Sequence, residues 1–212
     1  VRPGLLTAMM NGIGGTTLLA YRPVSELGGE RLPFAHWVVT ERELIDAVAW
    51  QPSAKTSYEY HGALFDAGSR EFRGFRSVCR RPEGGRAERT IFHQDELRSG
   101  LIERSEILAG SAADPACDER ELLRQETNLW PAQEPILLRS RRSLPWAGGK
   151  AVEELATLAE FNYDPFGNVV SETVSSPSAT TVSTETTYAE AAVEVSGSLP
   201  SVYVVDRPAS VL

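Results

Sequence analysis

The sequence is poor in the residues from which reactive centres are usually built. In 212 residues it has two cysteines, Cys79 and Cys117, and three histidines. Two cysteines make neither a disulfide framework nor a four-cysteine metal site. A single bridge is geometrically possible, but the sequence does not establish it. The expectation is two free thiols, one packed on a strand and one in a loop. His36, His61 and His93 are scattered without His-x-x-x-His spacing, so the zinc signature is missing. No Gly-x-Ser-x-Gly presents a strained serine to any of them, and no aspartate-rich loop suits calcium. Long apolar runs are lacking too, which argues against membrane insertion by this segment. No catalytic residue, metal ligand or cofactor site is therefore assigned.

Positive charge is also in deficit. The formal net charge is −8, which disfavours a nucleic-acid partner because a phosphate backbone is repelled. The basic clusters Arg80–Arg81 and Arg139–Arg142 read as solvated strand faces. Asn11-Gly12-Ile13-Gly14-Gly15 is glycine-rich, yet it has no lysine and leads into the β-branched run Thr16–Tyr21 instead of a helix. That makes it a turn and not a phosphate cradle. The start, VRPGLLTAMMNGIGG, lacks the charged region, apolar core and cleavage site of a signal peptide and begins with Val. Excision from something larger is the expectation.

What is present is strand character punctuated by turns. Tyr58 to Cys79 reads as a β-hairpin, with Tyr58 and Tyr60 on one face of the first strand. In the second strand Phe72 and Gly74 fall on one face, and Glu71, Arg73 and Phe75 on the other. The connector Asp66-Ala67-Gly68-Ser69-Arg70 is turn-forming, with Gly68 free to take positive φ. Glu71 and Arg73 are expected to pair across the sheet, and Gly62 and Gly74 to leave room for a close backbone. Further strands are expected over Pro33–Val39, Glu41–Val48, Arg86–Glu96, Leu101–Leu108, Glu121–Trp130, Ile136–Trp146 and Thr180–Tyr188. His36 reads as a packed histidine. After Val174, strand and Ser/Thr-rich tail both remain open.

A second turn has a clear mechanism. In Tyr163-Asp164-Pro165-Phe166-Gly167-Asn168 the aspartate can bond forward to the backbone, proline presets φ and glycine accepts positive φ. Val169 and Val170 then start a returning strand. Such a unit buries its face only by stacking on neighbours.

These motifs carry a resemblance. Arg70-Glu71-Phe72-Arg73-Gly74-Phe75, following Tyr58-x-Tyr60 and the Phe65–Asp66 turn, resembles the middle region of the B component of insecticidal toxin complexes, the SpvB/TcdB-like, RHS-containing proteins. Asn11–Thr17, the Leu32-Pro33-Phe34 and Trp37-Val38-Val39 pieces, Phe92–Asp95 and Glu126–Trp130 are similar in the same order. Tyr163-Asp164, Gly167-Asn168 and Glu172-Thr173 resemble one YD (RHS) repeat, and Leu199–Asp206 resembles the start of another without its glycine turn.

The resemblance implies a mainly β fold with little helix, in which stacked antiparallel strand–turn–strand hairpins form a curved open sheet. It implies three regions: 1–110 like the B-component middle segment, 111–190 of RHS/YD-type strands, and 191–212 as an incomplete repeat or tail. It implies a non-enzymatic, secreted structural part of a shell that encloses a toxic C-terminal polypeptide, present here as a fragment. The implied partners are the remaining shell strands and β-propeller of the same component, the enclosed polypeptide and the channel-forming A component. The competing reading is a secreted β-rich module that binds carbohydrate or protein through Trp37, Trp130 and Trp146.

Overall fold

A computed structural model describes residues 4–27, 32–46, 53–110, 116–191 and 202–211, with side chains described up to 187. The fold is mainly β, and the helical content of the described residues is limited to single 3-10 turns at Val24–Glu26, Cys117–Glu119 and Glu153–Leu155. The chain divides into two compact units. One is Val1–Gln125 with Trp146–Lys150, and the other is Glu126–Pro145 with Ala151–Leu212.

In the first unit, β1 (Ala8–Met10), β2 (Gly15–Pro23), β3 (Trp37–Asp46), β4 (Ala54–Asp66), β5 (Glu71–Pro82), β6 (Ala87–Phe92) and β7 (Ile102–Leu108) lie side by side in chain order. Each is antiparallel to the next. β8 (Leu122–Leu129) begins in this unit and ends in the second. The second unit holds β9 (Ser140–Ala147) up to Pro145, then β11 (Thr157–Tyr163), β12 (Val169–Ser176), β13 (Ala179–Ala191) and β14 (Val202–Val211) in order; the end of β9 and Lys150 of β10 (Lys150–Ala151), which pairs with β9, belong to the first. Sequence-adjacent pairing suits short turns, as between β4 and β5 and between β11 and β12, while the β7–β8 and β8–β9 connections are longer.

The apolar interior is thin. Ala87, Cys79, Leu108 and Cys117 form one buried cluster, with Leu122 packed against it. Large apolar side chains elsewhere stay in water: Met10 and Ile13 are each 80% exposed, and Leu129 and Phe166 each 60%.

Several expectations are corrected here. The strand expected from Pro33 starts at Trp37, because proline offers no N–H to a ladder. The strand expected from Ile136 starts at Ser140. The two cysteines are not free thiols: Cys79 and Cys117 are joined as a disulfide, with Cα atoms 6.5 Å apart. Residues 47–50 and 192–201, parts of two sequence expectations, lie outside the described residues.

Candidate functional site

The long β4–β5 hairpin turns at Asp66, which faces Glu71, so its loop is Ala67–Arg70. Asp66 Oδ1 accepts the N–H of Gly68 at 2.8 Å, an Asx turn that replaces one ladder bond. Positive φ falls on Arg70 (φ 59) and not on Gly68, because the side-chain bond fixes the first half of the loop and leaves the left-handed step to its last residue.

Arg73 follows two residues into β5 and points back at the turn. Its Nη2 donates to Asp66 Oδ2 at 2.9 Å and to Ser69 Oγ at 3.2 Å. Glu71, the partner expected from strand alternation, is farther away at 3.7 Å. The guanidinium holds the Asp66 carboxyl down at about 2, with the Gly68 N–H adding to the effect. Only 7% of the Arg73 side chain is exposed.

The register then slips. Ala63 faces Phe75 but Phe65 faces Phe72, so β5 carries one residue more than β4 across this interval. Gly74, at φ +80, is the residue whose missing Cβ permits the bulge. The slip overturns the expected faces: Phe72 and Phe75 lie together, ring centroids 5.6 Å apart and edge-on. Phe34 meets Phe65 at 5.6 Å and Phe72 at 5.9 Å, and His36 meets Phe72 at 4.9 Å. Tyr60 closes the row at 4.9 Å from Phe75 and donates its hydroxyl to the Val39 carbonyl of β3 at 2.8 Å. Burial raises the Tyr60 hydroxyl above its usual value, with the neighbouring Tyr58 adding to it. Edge-on rings of this kind contribute about 0.5–1.5 kcal/mol per pair beyond their buried area.

Carbonyls freed by the bulge are taken up by the β6–β7 connection. Gln94 Nε2 donates to Gly62 O at 2.7 Å and to Gly74 O at 3.0 Å, and Ser99 Oγ donates to Arg73 O at 3.2 Å. Gly62, at φ +68, admits no side chain, since a Cβ there would lie 2.5 Å from that of Arg76. In the same connection, burial holds the His93 imidazole below its usual value. The sequence placed Gln94 in a strand, whereas β6 ends at Phe92. Two glycines on neighbouring strands with a glutamine in the next turn are the only signal that pointed to this clamp.

The second motif closes the β11–β12 hairpin. Asp164 Oδ1 accepts the N–H groups of Phe166 and Asn168, both at 2.9 Å, and Oδ2 accepts the Asn168 amide at 2.8 Å. Gly167 sits at φ +88. Tyr163 donates its hydroxyl to Leu138 O at 2.7 Å, and burial raises that hydroxyl's pKa. The Asn11 loop repeats the scheme, with Oδ1 accepting Ile13 N–H at 3.0 Å and Gly15 N–H at 2.8 Å. One carboxylate or amide oxygen at the strand–loop junction therefore shapes three hairpin tips.

The hydrogen bonds of these tips run to backbone groups of their own hairpins and between neighbouring side chains. The basic clusters are likewise engaged: Arg80 with Glu88 at 3.2 Å, Arg81 with Glu59 at 2.9 Å, and Arg141 with Asn128 at 3.1 Å. Glu59, Cys79 and Cys117 bring one carboxylate and two sulfurs within 4.8 Å. With the sulfurs bonded to each other, no thiolate is available there for a cation. Trp37, Trp130 and Trp146 are each half-buried rather than displayed as open platforms. No helix among the described residues is long and apolar enough to cross a membrane.

Residues 1–104 match the family model described as the insecticide toxin TcdB middle/N-terminal region. The solved structure of TcdB2-TccC3 without its hypervariable C-terminal region aligns with 91% of this chain and 14% of its own, at TM-score 0.62 and 13% identity. The TcdB2-TccC3-TEV crystal structure gives 97% and 15% coverage, TM-score 0.64 and 13% identity. The Photorhabdus luminescens Tc holotoxin pore with a mutated TccC3 gives 96% and 14%, TM-score 0.66 and 14% identity. The likeness to these solved chains is one of fold, and this chain spans only 14–15% of their length. No curated protein matches the sequence.

Proposed function

Because the chain carries a TcdB-like middle region, we propose that it is a length of shell wall from the B component of an insecticidal toxin complex. The observation that carries this reading is a ladder of chain-ordered hairpins with a thin core. Among the described residues β1 has a ladder partner on one side only, and Met10 and Ile13 beside it are 80% exposed. Such an edge is completed by further strands. The first part, 1–110, supplies the middle-region strands; 111–190 continues them as RHS/YD-type hairpins, and 191–212 as an incomplete repeat.

In this reading the wall encloses a toxic C-terminal polypeptide in a secreted complex and performs no chemistry itself. Its partners are the remaining shell strands and β-propeller of the same component, the enclosed polypeptide and a channel-forming A component. The side chains at Tyr58, Tyr60, Asp66, Arg70 to Phe75, Tyr163, Asp164, Gly167 and Asn168 then serve to hold hairpins in register. Size-exclusion chromatography with light scattering tests the proposal. The isolated chain is expected to associate through its uncovered edges, and a sharp, cooperatively melting monomer overturns the reading.

A further inference from the structure

Cys79 lies on β5 and Cys117 opens the 3-10 turn before β8, so the bond ties a strand to a turn that follows it by two further strands, β6 and β7. The two residues are 38 positions apart. Both are buried, at 1% and 4% exposure, over Ala87 and Leu108. The Cys117–Glu119 turn therefore folds back across the sheet and covers its best-packed patch. Polar contacts hold the turn as well. Arg89 reaches Asp118, whose side chain is 80% exposed, so that ion pair is screened by water. Arg120 Nη1 donates to Ala109 O at 3.0 Å, and the Ala109 N–H donates to Glu121 O at 2.8 Å.

We propose that Cys79 and Cys117 form a redox site that acts as a clasp on this turn. A chain made in a reducing compartment carries two thiols, and it closes the bond on meeting a disulfide oxidant. One thiolate attacks a sulfur of the oxidant and expels its other half as a thiolate. The second cysteine then attacks the mixed disulfide. The oxidant's disulfide is reduced to two thiols, and the two electrons come from the cysteine pair, whose S–H protons are transferred with them. Glu59, opposite Cys79 in register, places a carboxylate within 4.8 Å of both sulfurs. That carboxylate is paired with Arg81 at 2.9 Å, and the two cysteines are only 1% and 4% exposed, so attack by the buried pair needs the turn to lift first. Closure thus marks arrival in an oxidising environment, independently of what the sheet encloses.

Hydrogen exchange on the intact protein, oxidised and after reduction with a phosphine, tests the clasp. Intact mass after thiol alkylation should give two free cysteines in the reduced form and none in the oxidised form. Reduction should speed exchange of the 116–120 amides at least tenfold while the β4–β5 hairpin amides keep their rates. The Cys79→Ser/Cys117→Ser double variant should show the fast pattern in either buffer. Two alkylated cysteines in the protein kept in an oxidising buffer overturn the proposal. So does equal exchange at 116–120 in both forms, or acceleration spread evenly over all strands.

Discussion

The Arg73 guanidinium folds back over its own hairpin tip to meet the Asp66 carboxylate at 2.9 Å, and the arginine is almost wholly covered. One pair thereby fixes the loop conformation and the start of β5. Asp66 simultaneously accepts the Gly68 N–H, so the carboxylate couples turn geometry to strand geometry.

Arg73→Ala should lower the urea midpoint more than Arg73→Lys, because lysine keeps a cation for the Asp66 carboxylate that the single nitrogen Nη2 now serves together with Ser69. The Asp66 carboxyl sits at about 2 against an ordinary 3.8. Its contribution is complete above pH 3.8 and is lost as pH falls through about 2. Acid titration of stability should therefore show wild type and Asp66→Asn converging in that window. Curves that stay parallel through it would refute the assignment.

Gly62 and Gly74 both have positive φ, yet their surroundings differ. At Gly74 a Cβ meets nothing within 4 Å, so Gly74→Ala carries only the backbone cost of about 1–2 kcal/mol. At Gly62 the Cβ collides with Arg76, and Gly62→Ala should cost clearly more. Gln94→Leu, which strips two carbonyls of their donor, should cost about 1–3 kcal/mol. Equilibrium denaturation of the three variants gives the order.

At the β11–β12 tip, Asp164→Ala removes the acceptor of three hydrogen bonds. A loss of about 1–2 kcal/mol is expected, in line with other capping side chains. Asp164→Asn keeps an oxygen for the two backbone N–H groups and should recover most of it. Chemical shifts of the Phe166 and Asn168 amides report the change directly.

Tyr60→Phe deletes the hydroxyl bond to Val39 O and should cost about 1 kcal/mol while the ring stays against Phe75. Because burial raises the Tyr60 pKa in the folded chain, its stabilising effect is complete below pH 10.0 and falls as pH rises through the folded value. Absorbance titration of the phenols should show Tyr60 and Tyr163 ionising late, and Tyr60→Phe should remove one of the two.

Much of the strand order was legible because period-two patterns and turn residues are local. Asp164, Gly167 and Asn168 announced their hairpin by type and spacing, since an Asx turn is completed within five residues. The β4–β5 tip was legible in place but not in detail. Alternation put Phe72 and Phe75 on opposite faces, and the extra residue at Gly74 brought them together. Gln94 was hidden because its partners, Gly62 and Gly74, lie 32 and 20 residues away on other strands.

The amino-acid order by itself determined a mainly β chain whose neighbours in sequence become neighbours in the sheet, since turn chemistry and alternation act over a few residues. Only the tertiary structure decided the bulge, the partner of Arg73 and the joining of Cys79 to Cys117. Each depends on distances between strands that no local pattern encodes: a slip of one residue, a carboxylate reached across a loop, and two sulfurs brought together over intervening strands.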